Sequence, residues 1–335
     1  MMNKTERIKT ALNREKTDKL PYAFWTHMPG DDLDPEVISK KTYEFFKEYD
    51  LDFIKMMNNG MYSTEDFGCK ADYSEIKQGG AAKLVYSPVK TADDWVKLKQ
   101  PDVHQGAYGR ELKHLRLLLE LVNKEAPVIF TIFSPMTTAN KISQNTLLKQ
   151  ITEGHGEQVH QALEMITETT CELVKAVMEA GADGIFMATQ LASYDITTDK
   201  IYGEYGKPYD VRVFETANQC GGWFNLLHAH GNNIMFNLLK DYPSQAFNWH
   251  VFETLPGVTE ARDITGKCLV GGIQRYNITD GKKNEIHHEI YTCIKELGGV
   301  GHILTPGCVI RYPLDKEVLS FVREAKESIE ETMCI

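Results

Sequence analysis

The stretch Glu157–Gln190, EQVHQALEMITETTCELVKAVMEAGADGIFMATQ, changes its hydrophobic pattern partway along, and that change decides the fold. In its first part Val159, Leu163, Ile166, Leu173, Val174 and Val177 recur at steps of roughly three and four, which predicts an amphipathic helix over 157–180 ended by Gly181. A short apolar run follows, DGIFM (Asp183–Met187), of strand length. A helix feeding such a strand is half of a repeating βα unit around a parallel sheet.

The same alternation extends in both directions. Further short apolar runs are LPYAFW (Leu20–Trp25), DFIKMM (Asp52–Met57), VIFTIF (Val128–Phe133), WFNLLH (Trp223–His228), QAFNW (Gln245–Trp249), CLVGG (Cys268–Gly272) and HILT (His302–Thr305), which makes eight with Asp183–Met187. Helical patterns lie between them, at 35–48, 108–123, 157–180, 209–220, 233–239, 258–264, 283–297 and 314–331. Eight strands are what a closed α/β barrel needs, so the expected fold is a (β/α)8 TIM barrel, with residues 1–335 as one domain. The second and third runs are widely separated. The segment 62–103, with Gly79-Gly80 and polar turns, is expected to be an insertion between barrel strands 2 and 3.

Composition narrows the classes. Hydrophobic residues make up 42 % and charged residues 25 %, and the formal net charge of -10 argues against a nucleic-acid partner. No uninterrupted apolar stretch approaches the ~20 residues of a membrane span, and the first residues show no apolar signal core, so a cytoplasmic location away from membranes is expected. The seven cysteines, Cys69, Cys171, Cys220, Cys268, Cys293, Cys308 and Cys334, form no CxxC pair and are expected to be reduced thiols.

In barrel enzymes the reacting groups come from the carboxyl ends of strands and the loops after them. Those places hold Trp25 and His27, Asn58 and Asn59, Gln190, His228 and His230, Trp249, His250 and Glu253, Arg275, and Cys308. The sharpest pattern is His228-x-His230 with Cys308. Residues two apart in extended chain point to one side, and a thiolate from the eighth strand can meet both imidazoles across the barrel mouth. Two nitrogens and one sulfur leave a position open on tetrahedral zinc, the layout of a catalytic site. An HxH pair also arises without a ligand role, and a cysteine after Pro-Gly can be simple packing.

The remaining candidates carry similar pairs of readings. His250 is a fourth ligand, a partner orienting an imidazole or a general acid, and Glu253 is a candidate for the same tasks. His27 is placed to contact substrate or metal, although the neighbouring Asp31-Asp32 pair also reads as a helix N-cap region. Asn58, Asn59 and Gln190 are candidate polar walls, Trp25 and Trp249 candidate apolar walls for an aromatic ring, and Arg275 a candidate partner for a carboxylate. Cys268 begins its run at the far end of the barrel, and His287-His288 sit on a solvent-facing helix pattern, so neither is assigned to the site.

The ordered series GADGIFMATQ (181–190), Lys207-Pro208-Tyr209, LLHAHG (226–231), LVGGI (269–273) and TPGCVIRYPLDKEVLSFV (305–322) resembles the uroporphyrinogen decarboxylase superfamily along essentially the whole chain. The resemblance implies a (β/α)8 barrel with its active site at the carboxyl mouth. The chain departs from the decarboxylases themselves in three places. Their arginine- and glycine-containing segment after the first strand is replaced by WTHMPGDD (25–32), with two acids and no arginine. Their aspartate after the second strand is replaced by Asn58-Asn59, and a histidine near the eighth strand by Cys308.

The pattern is nearer the methylcobamide:coenzyme M methyltransferases and related corrinoid-dependent methyltransferases, whose zinc site is similar to a His-x-Cys pair joined by a distant cysteine in PGC. His228 and Cys308 match two of those ligands, and His230 stands where the first cysteine would be. What this resemblance implies is a zinc-dependent methyltransferase that moves a methyl group between a small O- or S-methyl substrate, an aryl methyl ether or a thiol, and a corrinoid protein. The chain has no Asp-x-His-x-x-Gly corrinoid motif, so the cobalamin is expected on a partner. A homodimer is a further expectation. Two other readings remain: a decarboxylase of a tetrapyrrole or other carboxylate that needs no metal, and a barrel that binds metal or corrinoid without turnover.

Overall fold

The computed structural model describes residues 1–76 and 82–333, so the Gly79-Gly80 turn lies outside the described residues. The strands are β1 (Ile54–Lys55), β2 (Lys70–Asp72), β3 (Lys83–Tyr86), β4 (Val128–Phe133), β5 (Gly184–Thr189), β6 (Leu226–Ala229), β7 (Ala246–Trp249), β8 (Cys268–Ile273) and β9 (His302–Pro306). Seven of them form one all-parallel curled sheet in the order β1-β4-β5-β6-β7-β8-β9, and β2 pairs with β3 as a separate antiparallel ribbon. The fold is the expected α/β barrel, with one correction.

The first apolar run, Leu20–Trp25, closes the ring without becoming a regular strand. Leu304 N donates to Pro21 O at 2.9 Å, Ala23 N to Leu304 O at 3.1 Å, and Asp52 N to Tyr22 O at 2.9 Å. Pro21 has no amide to give. The Tyr22 amide is taken by the Asp52 carboxylate at 2.9 Å, so a side chain stands where a ladder carbonyl would be. The other Asp52 oxygen accepts from Arg7 Nη1 at 2.6 Å, which ties the N-terminal helix Lys4–Leu12 to the seam.

Around the sheet the helices follow the sequence pattern closely where they are long. The segment Gly156–Ala180 buries Val159, Leu163, Ile166, Leu173, Val174 and Val177, and Gly181 ends it at φ 106°. The pattern at 233–239 gives only the short helix Phe236–Leu239. Short helices without a visible period were missed, among them Pro135–Ile142, which is started by Ser134 accepting from Thr137 N with Pro135 in the first turn. Among the described residues no helix is long and apolar enough to cross a membrane.

A candidate metal centre at the barrel mouth

Strand alternation assembles the site. His228 in β6 lies opposite Asn248 in β7. Because side chains alternate along a strand, His230 shares the side of His228, and His250 shares the side of Asn248. Phe247 and Trp249 take the other face. Cys308 comes from the turn after β9, which passes very close to the end of β7. A Cβ at Gly307 would stand 2.8 Å from the His250 Cα, so only glycine lets the thiol approach.

The ligand atoms of His228, His230, His250 and Cys308 all lie within 4.8 Å of one another. Cys308 Sγ is 3.6 Å from His230 Nδ1 and 3.8 Å from His228 Nε2. The His228 tautomer follows from its neighbour. The Asn248 amide nitrogen donates to Val270 O at 2.7 Å and to Pro306 O at 3.4 Å, which leaves its oxygen to accept from His228 Nδ1. The Nε2 lone pair then faces Cys308. On the other side the His228 ring stacks on Phe186 of β5, with centroids 5.2 Å apart.

Electrostatics divides the two buried imidazoles. Burial pushes His228 down to about 4, so it stays neutral and able to donate a lone pair. Burial also opposes charge on His250, but Cys308 and Glu253 outweigh it and raise its pKa. Glu253 Oε2 sits 3.4 Å from His250 Nδ1, and Arg275 Nε is 4.0 Å from the other Glu253 oxygen. Burial disfavours the Cys308 thiolate, yet the three imidazoles gathered around it, of His228, His230 and His250, outweigh that and hold it well below the ordinary thiol range.

The other candidates divide by position. His27 lines a cavity of about 260 Å³ beside the turn that carries Cys308, with Asp32, Asn59, Ile310 and Arg311. Burial, and next the charge of Lys55, press its imidazole down to about 4. Asn59 is fully engaged: its amide donates to Asp32 at 3.1 Å, and its oxygen accepts from Met61 N at 2.9 Å and Tyr73 OH at 3.1 Å. Asn58 donates to Glu111 at 3.0 Å, and its buried oxygen has no partner among the described residues. The Gln190 backbone N–H donates to Thr137 Oγ1 at 3.0 Å.

Trp25 packs inside the barrel against Phe186, with centroids 5.7 Å apart. Arg275 lies behind Glu253, stacked on Tyr276 at 4.6 Å. Trp249 is not brought to the site. Its indole donates to Pro256 O at 3.0 Å and its ring packs on Phe236 at 5.8 Å, on the opposite face of β7 from His250.

Three residues that sequence reasoning missed also shape the mouth. Asn248 was hidden inside the apolar run QAFNW, and its role needs the β6–β7 register. Lys55 was hidden in DFIKMM, and Lys141 in a helix with no visible period. Burial pushes their ammonium groups down to about 7 and about 8.

A parallel barrel with a cluster of nitrogen and sulfur donors at the carboxyl ends of its strands has the layout of a barrel enzyme whose mouth could hold a metal ion. Residues 3–328 match the uroporphyrinogen decarboxylase (URO-D) family, and the chain belongs to that family. It is similar to the methylcobamide:CoM methyltransferase MtbA of Methanosarcina acetivorans, at 23% identity over 91% of this chain and 92% of that one. It is also similar to a uroporphyrinogen decarboxylase of Thermus thermophilus, at 24% identity over 88% of this chain and 85% of the other. A solved methyltransferase from Methanosarcina mazei shares the fold at a TM-score of 0.86 and 19% identity, covering 98% of this chain and 99% of its own.

Proposed function

We propose that this chain is a corrinoid-linked methyltransferase that moves a methyl group between a small thiol or aryl methyl ether and a corrinoid carried by a partner protein, with zinc held by His228, His230 and Cys308. The observation that carries this reading is the convergence of four donor atoms within 4.8 Å. The donors fit the ion. Imidazole nitrogen and thiolate sulfur are zinc ligands, the His228 tautomer is fixed, and His250 Nε2 is buried with no hydrogen-bond partner among the described residues. Zinc bound there would act as a Lewis acid, bringing a coordinated thiol or phenol toward or below neutral pKa.

The protein's own groups supply the rest. Cys308 stays a thiolate and the buried His228 stays neutral, so neither competes for the proton. His250 is the acceptor. In the thiol direction the S–H proton passes to His250 Nε2 as the sulfur takes the methyl group, whose bond to the partner's corrinoid breaks with its electron pair left on the corrinoid, and Glu253 opposite Nδ1 stabilises the imidazolium. In the ether direction the same imidazolium returns a proton to the departing phenolate.

The test is methyl transfer between methylcobalamin and a panel of thiols, and between aryl methyl ethers and reduced cobalamin, followed by the corrinoid absorbance. Transfer by wild type that falls at least ~100-fold in Cys308→Ala is expected. Zinc-replete protein inert toward all of these, yet active on a porphyrinogen or another carboxylate, would replace this reading with the decarboxylase one.

A further inference from the structure

Strand β8 lies between β7 and β9, whose turns carry His250 and Cys308, yet it supplies none of the four donors. It is followed by the short helix Arg275–Thr279, which reaches the turns on both sides. At its start the buried Arg275 places Nε 4.0 Å from Glu253 Oε1, and the other Glu253 oxygen stands 3.4 Å from His250 Nδ1. At its end Thr279 Oγ1 accepts from Arg311 N at 3.3 Å, in the segment that carries Cys308, and donates to Arg275 O at 3.0 Å. The helix is fixed from behind as well. Glu289, buried on the helix Lys283–Leu297, accepts from Gln274 N at 2.9 Å with one oxygen and from Asn277 Nδ2 at 2.7 Å with the other.

Among the described residues Glu253 is the one acid within ion-pair range of Arg275, and Arg275 the one arginine or lysine within range of Glu253. Three buried atoms without a hydrogen-bond partner lie along this single line: Arg275 Nε, Glu253 Oε1 and His250 Nε2. A buried carboxylate oxygen left unpaired is costly, and a cation beside it offsets that cost. Arg275 Nη2 also donates to Tyr276 OH at 3.1 Å, and its guanidinium stacks 4.6 Å from the centre of that ring, which limits its swing toward solvent. A shift of about 1 Å would turn the Arg275–Glu253 contact into a direct charge-assisted hydrogen bond.

We infer that Arg275 is a positioning residue: through Glu253 it fixes the His250 ring so that Nε2 meets the other donors, and the helix Arg275–Thr279 brackets the His250 and Cys308 turns at their mutual distance. Arg275 thereby passes from a candidate substrate contact to a support of the cluster. What His250 does once placed rests on the proposed function; its placement does not. A ring nitrogen is aimed by the partner of the opposite nitrogen, and that partner must itself be held.

The test is nuclear magnetic resonance of chelator-treated protein with isotope-labelled histidine, the His250 signals being assigned from His250→Gln, alongside zinc affinity by chelator competition. Arg275→Met is expected to shift or broaden the His250 ring signals while those of the exposed His287 and His288 stay in place, and to lower zinc affinity about tenfold or more. Arg275→Lys keeps the cation and should restore most of both effects, which a loss of packing alone would not allow. Thr279→Val reads the other end of the bracket independently, and should lower zinc affinity about threefold or more through one lost hydrogen bond. His250 signals in Arg275→Met identical to those of wild type, or a lysine variant no better than the methionine one, would overturn the assignment. A wild type that takes up no zinc, while Arg275→Met still displaces the His250 signals, would support the positioning and remove the metal-dependent reading.

Discussion

Asn248 governs which nitrogen of His228 faces the thiol, because its own amide is pinned by the carbonyls of Val270 and Pro306. Asn248→Ala would release the imidazole to rotate and to exchange its proton between the two nitrogens. The protein should stay folded while its zinc affinity falls by about 10- to 100-fold, read by chelator competition. An unchanged affinity would show that the tautomer is set elsewhere. Gly307 makes a steric prediction at the same scale. Gly307→Ala places a methyl group 2.8 Å from the His250 Cα, so the Cys308 turn must move away and metal retention should drop as in Cys308→Ala. A Gly307→Ala protein that holds a full equivalent of metal would contradict that geometry.

At the scale of elements, the weak seam of the barrel is the run Leu20–Trp25. It is held by single bridges and by Asp52, which accepts from Tyr22 N and from the buried Arg7 together. Asp52→Ala leaves Arg7 with Asp18 and the Met2 carbonyl, and should cost about 3 kcal/mol in denaturant unfolding. A loss below ~1 kcal/mol would mean that the seam does not depend on this carboxylate. The sequence made β4 to β9 and the long helices legible because their apolar periods are long and clean. It made His228, His230 and Cys308 legible because an HxH pair and a PGC turn are local patterns. The run Leu20–Trp25 misled because Pro21 and a side-chain acceptor replace ladder bonds, which an apolar run does not reveal. Asn248, Lys55 and Trp249 were misread or missed for one reason: the inward parity of a short strand depends on register with its neighbours, and an error of one residue sends a side chain to the opposite face.

For the molecule as a whole, function and stability pull on different buried charges. Asp210, on the helix Lys207–Gln219 outside the barrel, accepts from Tyr202 OH at 2.6 Å and Tyr242 OH at 3.0 Å. Burial pushes its carboxyl up to about 7, against the two phenol bonds. The folded value lies above the ~3.9 of an unfolded aspartate, so its stabilising contribution is full below about pH 4 and lost as pH rises through about 7. Asp210→Asn cannot ionise, and its melting temperature should therefore gain on that of wild type between pH 5 and pH 8. A constant difference across that range would contradict the assignment.

Whether the barrel mouth holds a metal ion is decided by metal content. Protein purified without chelators, and the His228→Ala/Cys308→Ala double variant prepared alongside it, should be compared by elemental analysis together with a melting curve for each. About one equivalent of zinc in the wild type, lost in a double variant that still folds, is the predicted result. A wild type free of metal that does not take up zinc when it is supplied would mean that the barrel mouth is not a metal centre.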